Sequence, residues 1–150
     1  MKKIYIASDH GGYLLKKYII ATLSENSSKG PCQNLWVDMG CDALSSCDYP
    51  LYAQKLCQAL EHDPNAYGGV LICGSGIGMS IAANRYPYIR AALCLNTEMV
   101  ALSRQHNNAN VLCLGERLMD KKTAIDCVKA FLNTPFSEEK RHVQRLNMLR

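Results

Sequence analysis

The chain has 150 residues, 48% hydrophobic and 20% charged, with 17 Lys and Arg against 13 Asp and Glu for a net charge of +4. That balance fits one ordinary folded domain spanning 1–150 and excludes a disordered, collagenous or two-domain chain. The longest apolar run, Ala91 to Leu95, is far too short to span a bilayer, and polar Ser8 and Asp9 arrive too early for an export signal, so a cytoplasmic protein is expected.

In chain order, Lys3–Ser8 reads as a first strand and Tyr13–Leu23 as a helix. Residues 24–34, rich in Ser, Asn, Gly and Pro, read as a surface loop leading to a second strand, Leu35–Met39. A helix over Tyr49–Glu61 precedes a third strand, Gly69–Cys73, and a helix over Ile77–Asn84. Strand Arg90–Leu95, helix Thr97–His106, strand Asn110–Leu114 and helix Lys121–Asn133 follow. After the breaker Pro135, Ser137 offers an N-cap for a last helix running to about Leu149. Short, almost continuously apolar strands suit a parallel sheet buried on both faces. Their alternation with helices predicts an α/β fold: a Rossmann-like three-layer sandwich with a five-stranded parallel sheet, right-handed crossovers and an additional C-terminal helix.

Eight cysteines, at 32, 41, 47, 57, 73, 94, 113 and 127, form no C-x-x-C pair, and His10, His62, His106 and His142 form no i, i+4 pair. Such spacing predicts neither a disulfide framework nor a metal site. Cys94 and Cys113 lie in apolar strand-like runs, where cysteine packs as a small hydrophobe. The whole charge excess sits in the last thirty residues, where Lys121, Lys122, Lys129, Lys140, Arg141, Arg145 and Arg150 face Asp126, Glu138 and Glu139. With no basic repeat and no aromatic ladder, a small anionic ligand is expected, and neither nucleic acid nor a membrane. Lys121 and Lys122 read as solvated surface, and Met148 and Leu149 as packing residues.

Ligands of open parallel sheets bind beyond the carboxyl ends of the strands, so those ends carry the candidates. The third strand runs into Cys73-Gly74-Ser75-Gly76-Ile77-Gly78-Met79-Ser80. Met79 breaks a dinucleotide fingerprint and a C-x5-R phosphatase loop, and the absence of lysine breaks a Walker A loop. What remains is a thiol followed by approachable backbone amides at a helix N-terminus, which favours negative charge. Cys73 is then a base or a nucleophile beside an oxyanion site, or an inert buried thiol in a tight turn. As a nucleophile it suggests a Cys-His hydrolase, with His106-Asn107 available as partners. Asp9-His10, before Gly11-Gly12, supplies two proton-transfer groups, or a helix cap and a solvent histidine. His106 ends a polar helix and reads equally as a cap or a catalyst. Arg141 and Arg145, four apart on one helix face, suit a phosphate or a solvated basic face. A non-catalytic nucleotide- or phosphometabolite-binding module fits the same features.

Taken together and in order, Ser8-Asp9-His10-Gly11-Gly12, Asp48-Tyr49-Pro50, Cys73 through Asn84, Ile89-Arg90-Ala91-Ala92, Arg104-Gln105-His106-Asn107, Asn110-Val111-Leu112, Gly115-Glu116-Arg117 and Arg141-His142 are similar to the ribose-5-phosphate isomerase B family. Its group also includes galactose-6-phosphate and allose-6-phosphate isomerases. The resemblance implies metal-independent interconversion of ribose 5-phosphate and ribulose 5-phosphate without a cofactor. It also implies a homodimer with active sites shared between subunits, open to pairing into tetramers. By that resemblance, Cys73 is the base that moves a proton between C2 and C1 through a cis-enediolate. The amides of Gly74, Gly76, Ile77 and Gly78 hold the oxyanion, and Ser75 adds a polar contact. His106 assists ring opening with Asp9, Asn107 binds sugar hydroxyls, and Tyr49 lines the pocket. His10, Arg117, Arg141 and Arg145 match the phosphate end. A six-carbon sugar phosphate is the alternative substrate within the group. Tyr88 and Glu138-Glu139-Lys140 stand where glycines are common in the family.

Overall fold

Alternation within each strand builds the layers. The computed structural model describes residues 2–27 and 34–149. In β1 (Lys2–Ser8), Ile4 and Ile6 face one side of the sheet and Tyr5 and Ala7 the other, all of them buried. β3 (Ala66–Cys73) and β5 (Val111–Gly115) repeat the pattern, with Val70, Ile72, Leu112 and Leu114 on the first side and Leu71, Cys73, Val111 and Cys113 on the second. A sheet apolar on both faces must be covered on both. Helices α1 (Tyr13–Ser27), α4 (Thr97–Asn107) and α5 (Lys121–Asn133) supply residues to the first core. Helices α2 (Tyr49–His62) and α3 (Ile77–Ala83) supply residues to the second.

With the edge strands β2 (Asn34–Asp38) and β4 (Ala91–Leu93), the sheet order is β2-β1-β3-β5-β4, with each pairing parallel. The chain leaves β1 toward one edge and returns past it to build β3, so the order reverses between β1 and β3. Crevices for ligands form at such switch points. Among the described residues, no helix is long and apolar enough to cross a membrane.

Local signals fix the helices. Asp120 caps α5 by accepting the Thr123 N–H at 2.8 Å, and Ala124, Ile125, Val128, Phe131 and Leu132 form its buried stripe. Asn96 caps α4 through the Met99 N–H at 2.9 Å, and α4 ends on Asn108 in the left-handed region at φ 44°. A fully buried Lys16 on α1 reaches Asp38 Oδ1 at 2.5 Å and the Cys41 carbonyl at 2.7 Å, which pins the exit of β2 to α1. A buried cation is tolerable only when paired and hydrogen-bonded in this way.

The last helix departs from expectation. Ser137 does not cap it: its N–H donates to the Gln105 carbonyl and its hydroxyl accepts the Glu139 N–H at 3.4 Å. Glu138 then takes a left-handed φ of 56°, and α6 (Lys140–Leu146) starts only after Glu139. Met148 and Leu149, expected to pack, are 79% and 59% exposed. Helix α1 continues to Ser27, into the expected loop; the rest of that loop up to residue 33, Cys32 included, lies outside the described residues. Strand β3 begins at Ala66, three residues earlier than read, and β4 is shorter at both ends. Lys122 is solvated as expected, pairing with Asp126 one turn on. Tyr88, in place of a family glycine, donates to Glu61 Oε2 at 3.1 Å and to the Cys57 carbonyl at 3.3 Å.

Helix α6 docks through His142, which is buried and stacks on His106 of α4 at 4.3 Å between ring centroids. Among the described residues its Nε2 has no hydrogen-bond partner. Burial first, then the neighbouring His106 and Arg141, hold its pKa below the ordinary 6.5. The unfolded chain therefore takes up this proton more readily than the folded one. The stabilisation is complete above about 6.5 and is lost as pH falls through the folded value. The melting temperature should accordingly fall as pH drops below about 6.5, and His142→Phe should flatten that slope. Phe131→Ala, which empties the centre of the first core, should cost about 3–5 kcal/mol by urea unfolding.

Candidate active site

The two strand ends at the switch point meet through glycines. Asp9 caps a 3-10 turn, His10–Gly12, with Oδ1 accepting the Gly12 N–H at 3.2 Å, and its own N–H donates to the Ile72 carbonyl of β3. A Cβ on Gly12 would lie 2.6 Å from that carbonyl, so only glycine lets the turn close onto β3. Gly11 approaches the Gly74 N–H in the same way, with 3.2 Å from a built Cβ. Asp9 thus caps the turn and also borders the cavity above it.

Cys73 ends β3, 5% exposed, and its Sγ accepts the Gly76 N–H at 3.1 Å. That amide directs its positive end at the sulfur. Gly76 holds a left-handed φ of 76° beneath Leu93 and Leu114 and starts α3. The Ile77 N–H turns back to Ser75 Oγ at 3.3 Å. From β5, the N–H groups of Glu116 and Arg117 donate to the carbonyls of Cys73 and Gly74, both at 3.0 Å. The Glu116 carboxylate accepts the Leu15 N–H at 3.0 Å, tying this loop to α1 as well. The Arg117 guanidinium lies over Gly74, and the Tyr49 ring lies over Gly78.

These residues enclose a cavity of about 370 Å³ bordered by Asp9, His10, Tyr49, Cys73, Ser75 and Arg117. A second cavity of about 540 Å³ shares Asp9, His10 and Tyr49 and continues over Cys47 and Asp48. The structure therefore gathers nine of the candidates around the Cys73 thiol: Asp9, His10, Tyr49, Gly74, Ser75, Gly76, Ile77, Gly78 and Arg117. His106, Asn107, Arg141 and Arg145 do not border this cavity within the chain. His106 stacks on His142, Asn107 borders a separate cavity of about 460 Å³, and Arg141 pairs with Glu139 at 2.9 Å on the exposed face of α6.

Two contributors carry no sequence signal of their role. The Cys47 N–H donates to His10 Nδ1 at 3.2 Å and so orients the ring, a contact made across 37 positions. Arg104 is buried, and its guanidinium donates to Thr134 O at 3.1 Å, Asn108 Oδ1 at 3.0 Å and Ala109 O at 2.6 Å. It locks the left-handed turn that follows His106 and Asn107. The arginine stood in a recognised stretch, but only the fold shows what it holds.

The Ribose/Galactose Isomerase family model matches residues 4–149. Ribose-5-phosphate isomerase B of Escherichia coli is 39% identical over 149 residues, covering 99% of this chain and 95% of that protein. The type B ribose 5-phosphate isomerase structure from Trypanosoma brucei superposes with a TM-score of 0.91 at 40% identity, covering 99% of this chain and 97% of that one. The ribose 5-phosphate isomerase structure from Thermotoga maritima gives 0.91 at 42% identity, with the same coverage. With a family model matched over residues 4–149 and relatives this similar in sequence and fold, the chain belongs to the ribose/galactose isomerase family.

Proposed function

We propose that this family member interconverts ribose 5-phosphate and ribulose 5-phosphate, with Cys73 as the base. The observation that carries the reading is the Cys73 sulfur itself, held at the floor of the cavity by the Gly76 N–H at 3.1 Å. In the forward direction the thiolate takes the C2 proton of the open-chain aldose. The C–H electron pair forms the C1=C2 bond, and the C1 oxygen becomes the oxyanion of a cis-enediolate. Return of the proton from Cys73 to C1, with the C2 hydroxyl proton passing to the C1 oxyanion, gives the ketose. The Gly76 and Ile77 amides are engaged with Cys73 and Ser75, which leaves those of Gly74, Ser75 and Gly78 for the oxyanion.

We further propose that a second copy completes the cavity. His106 and Asn107 would then face the sugar, with His106 assisting ring opening opposite Asp9. Arg141 and Arg145 would join His10 and Arg117 at the phosphate. Two features support this: these four residues lie away from Cys73 within one chain, and α3 and α4 expose Ile77, Ile81, Met99 and Leu102. Exposed apolar side chains of this kind mark protein–protein contact. Binding energy from the phosphate then orients the reacting carbons.

The adjoining cavity beyond His10 leaves room for a longer sugar, so a six-carbon phosphate is the second reading. Turnover across a panel of pentose and hexose phosphates separates the two. Cys73→Ala should lower kcat by roughly 10²–10⁴-fold and abolish exchange of the C2 proton with heavy water, while substrate still binds. Retained exchange in that variant removes Cys73 from the base role, and tight nucleotide binding without sugar turnover removes the isomerase reading. Arg145→Ala should raise KM with kcat little changed, because a phosphate contact is shared by ground and transition states. Steady-state kinetics check this; a fall in kcat alone contradicts it.

A further inference from the structure

Beside the cavity lies a second pair of thiols that the isomerisation does not use. Cys41 and Cys47 bracket the segment between β2 and α2, separated by five exposed residues. Both thiols rest on the carboxyl end of β1. Cys41 Sγ lies 4.0 Å from Ser8 Oγ and donates to the Ala43 carbonyl at 3.3 Å, and Cys47 Sγ lies 4.0 Å from His10 Nδ1. Burial first, and then the neighbouring Cys47 thiol, raise the pKa of Cys41 and of Tyr52. Cys41 is buried, whereas Cys47 is half-exposed and open to a small reagent.

The two ends of the segment are held with unequal strength. At Cys41, the N–H donates to the Ser8 carbonyl at 2.8 Å and the carbonyl accepts from buried Lys16 at 2.7 Å; the adjoining Gly40 carbonyl accepts the Ser8 N–H at 2.8 Å. At Cys47 the main chain meets the His10 ring. A bond drawing the two sulfurs to about 2 Å must therefore move Cys47, not Cys41. Moving Cys47 withdraws the N–H that orients His10.

We propose that Cys41 and Cys47 form a thiol–disulfide site whose oxidation by a low-molecular-weight disulfide releases His10 and weakens substrate binding. The Cys47 thiolate attacks one sulfur of the reagent, forming a mixed disulfide and expelling one thiolate. Cys41, deprotonated in turn, attacks Cys47 Sγ, forms the intramolecular bond and expels the second thiolate. The protein loses two electrons and two protons, and the reagent is reduced to two thiols. Burial pushes the Cys41 thiol up, so ring closure quickens as pH rises.

The effect on turnover rests on the isomerase reading, but the site itself does not. The full chain is treated with oxidised glutathione, remaining thiols are alkylated, and the product is digested for mass spectrometry. The expected product has lost two hydrogens, carries a peptide linked between 41 and 47, and reverts with dithiothreitol. Its KM for the sugar phosphate should rise on the order of 5–10-fold, the scale of one lost charge-assisted hydrogen bond. Cys41→Ser should stop at a stable glutathione adduct on Cys47, and Cys47→Ser should take neither modification. The His10 imidazole nitrogen resonances should shift on closure whether or not ribose 5-phosphate is the substrate. A persistent Cys47 adduct in the unsubstituted chain, or a link formed elsewhere, overturns the pair. A 41–47 link that leaves both KM and the His10 resonances unchanged overturns the release of His10.

Discussion

Everything in the site hangs on main chain approaching main chain at the ends of β1, β3 and β5. Gly12 against the Ile72 carbonyl and Gly115 against the Ser75 carbonyl leave no room for a Cβ, and Gly11 packs tightly on the Gly74 amide. Side chains could adjust to a perturbation; three facing backbones cannot do so without moving strands. The floor of the cavity is thus as rigid as the sheet, and Asp9, His10, Cys73 and Arg117 inherit that rigidity. Catalysis by preorganised dipoles requires this, because amides that had to swing into place would pay reorganisation during the reaction.

The same rigidity sorts the cysteines by environment. Burial pushes Cys57 up to about 12 and Cys127 up to about 11, and it also raises Cys94 and Cys113. These thiols fill space between strands and helices as small apolar groups and have no route to chemistry. Cys73 shares their burial but not their surroundings, since a backbone N–H meets its sulfur and a cavity opens above it. Abundant cysteine in this chain is mostly a packing choice.

Much of the fold was legible because parallel strands buried on both faces must be apolar without a break, and Gly69–Cys73 or Asn110–Leu114 could be little else. The glycine loop was legible because its spacing, thiol and helix start are local. The start of α6 was not, since Ser137 is a capping residue by type but is drawn into a bond with Gln105, far away in sequence. The added turn of α1 is written in Ser, Glu and Asn, residues that suit a loop equally well. His10 meeting Cys47 and Arg104 bracing Thr134 depend on the tertiary arrangement, to which spacing is blind. The resemblance named His106, Asn107, Arg141 and Arg145 as site residues, but only coordinates reveal that they stand apart from Cys73.

Arg104 gives that separation a further meaning. Its buried guanidinium ties the His106-Asn107 turn to the end of α5, so on the proposed reading the half of the site carried by that turn is fastened to its own chain. Neither half can reach the other by flexing. On the two-copy reading, a correctly folded single chain is catalytically silent, and natural selection cannot see the catalytic residues apart from the surface that joins the copies. Drift on α3 and α4, harmless in a monomeric enzyme, would here be judged as strictly as a change at the thiol.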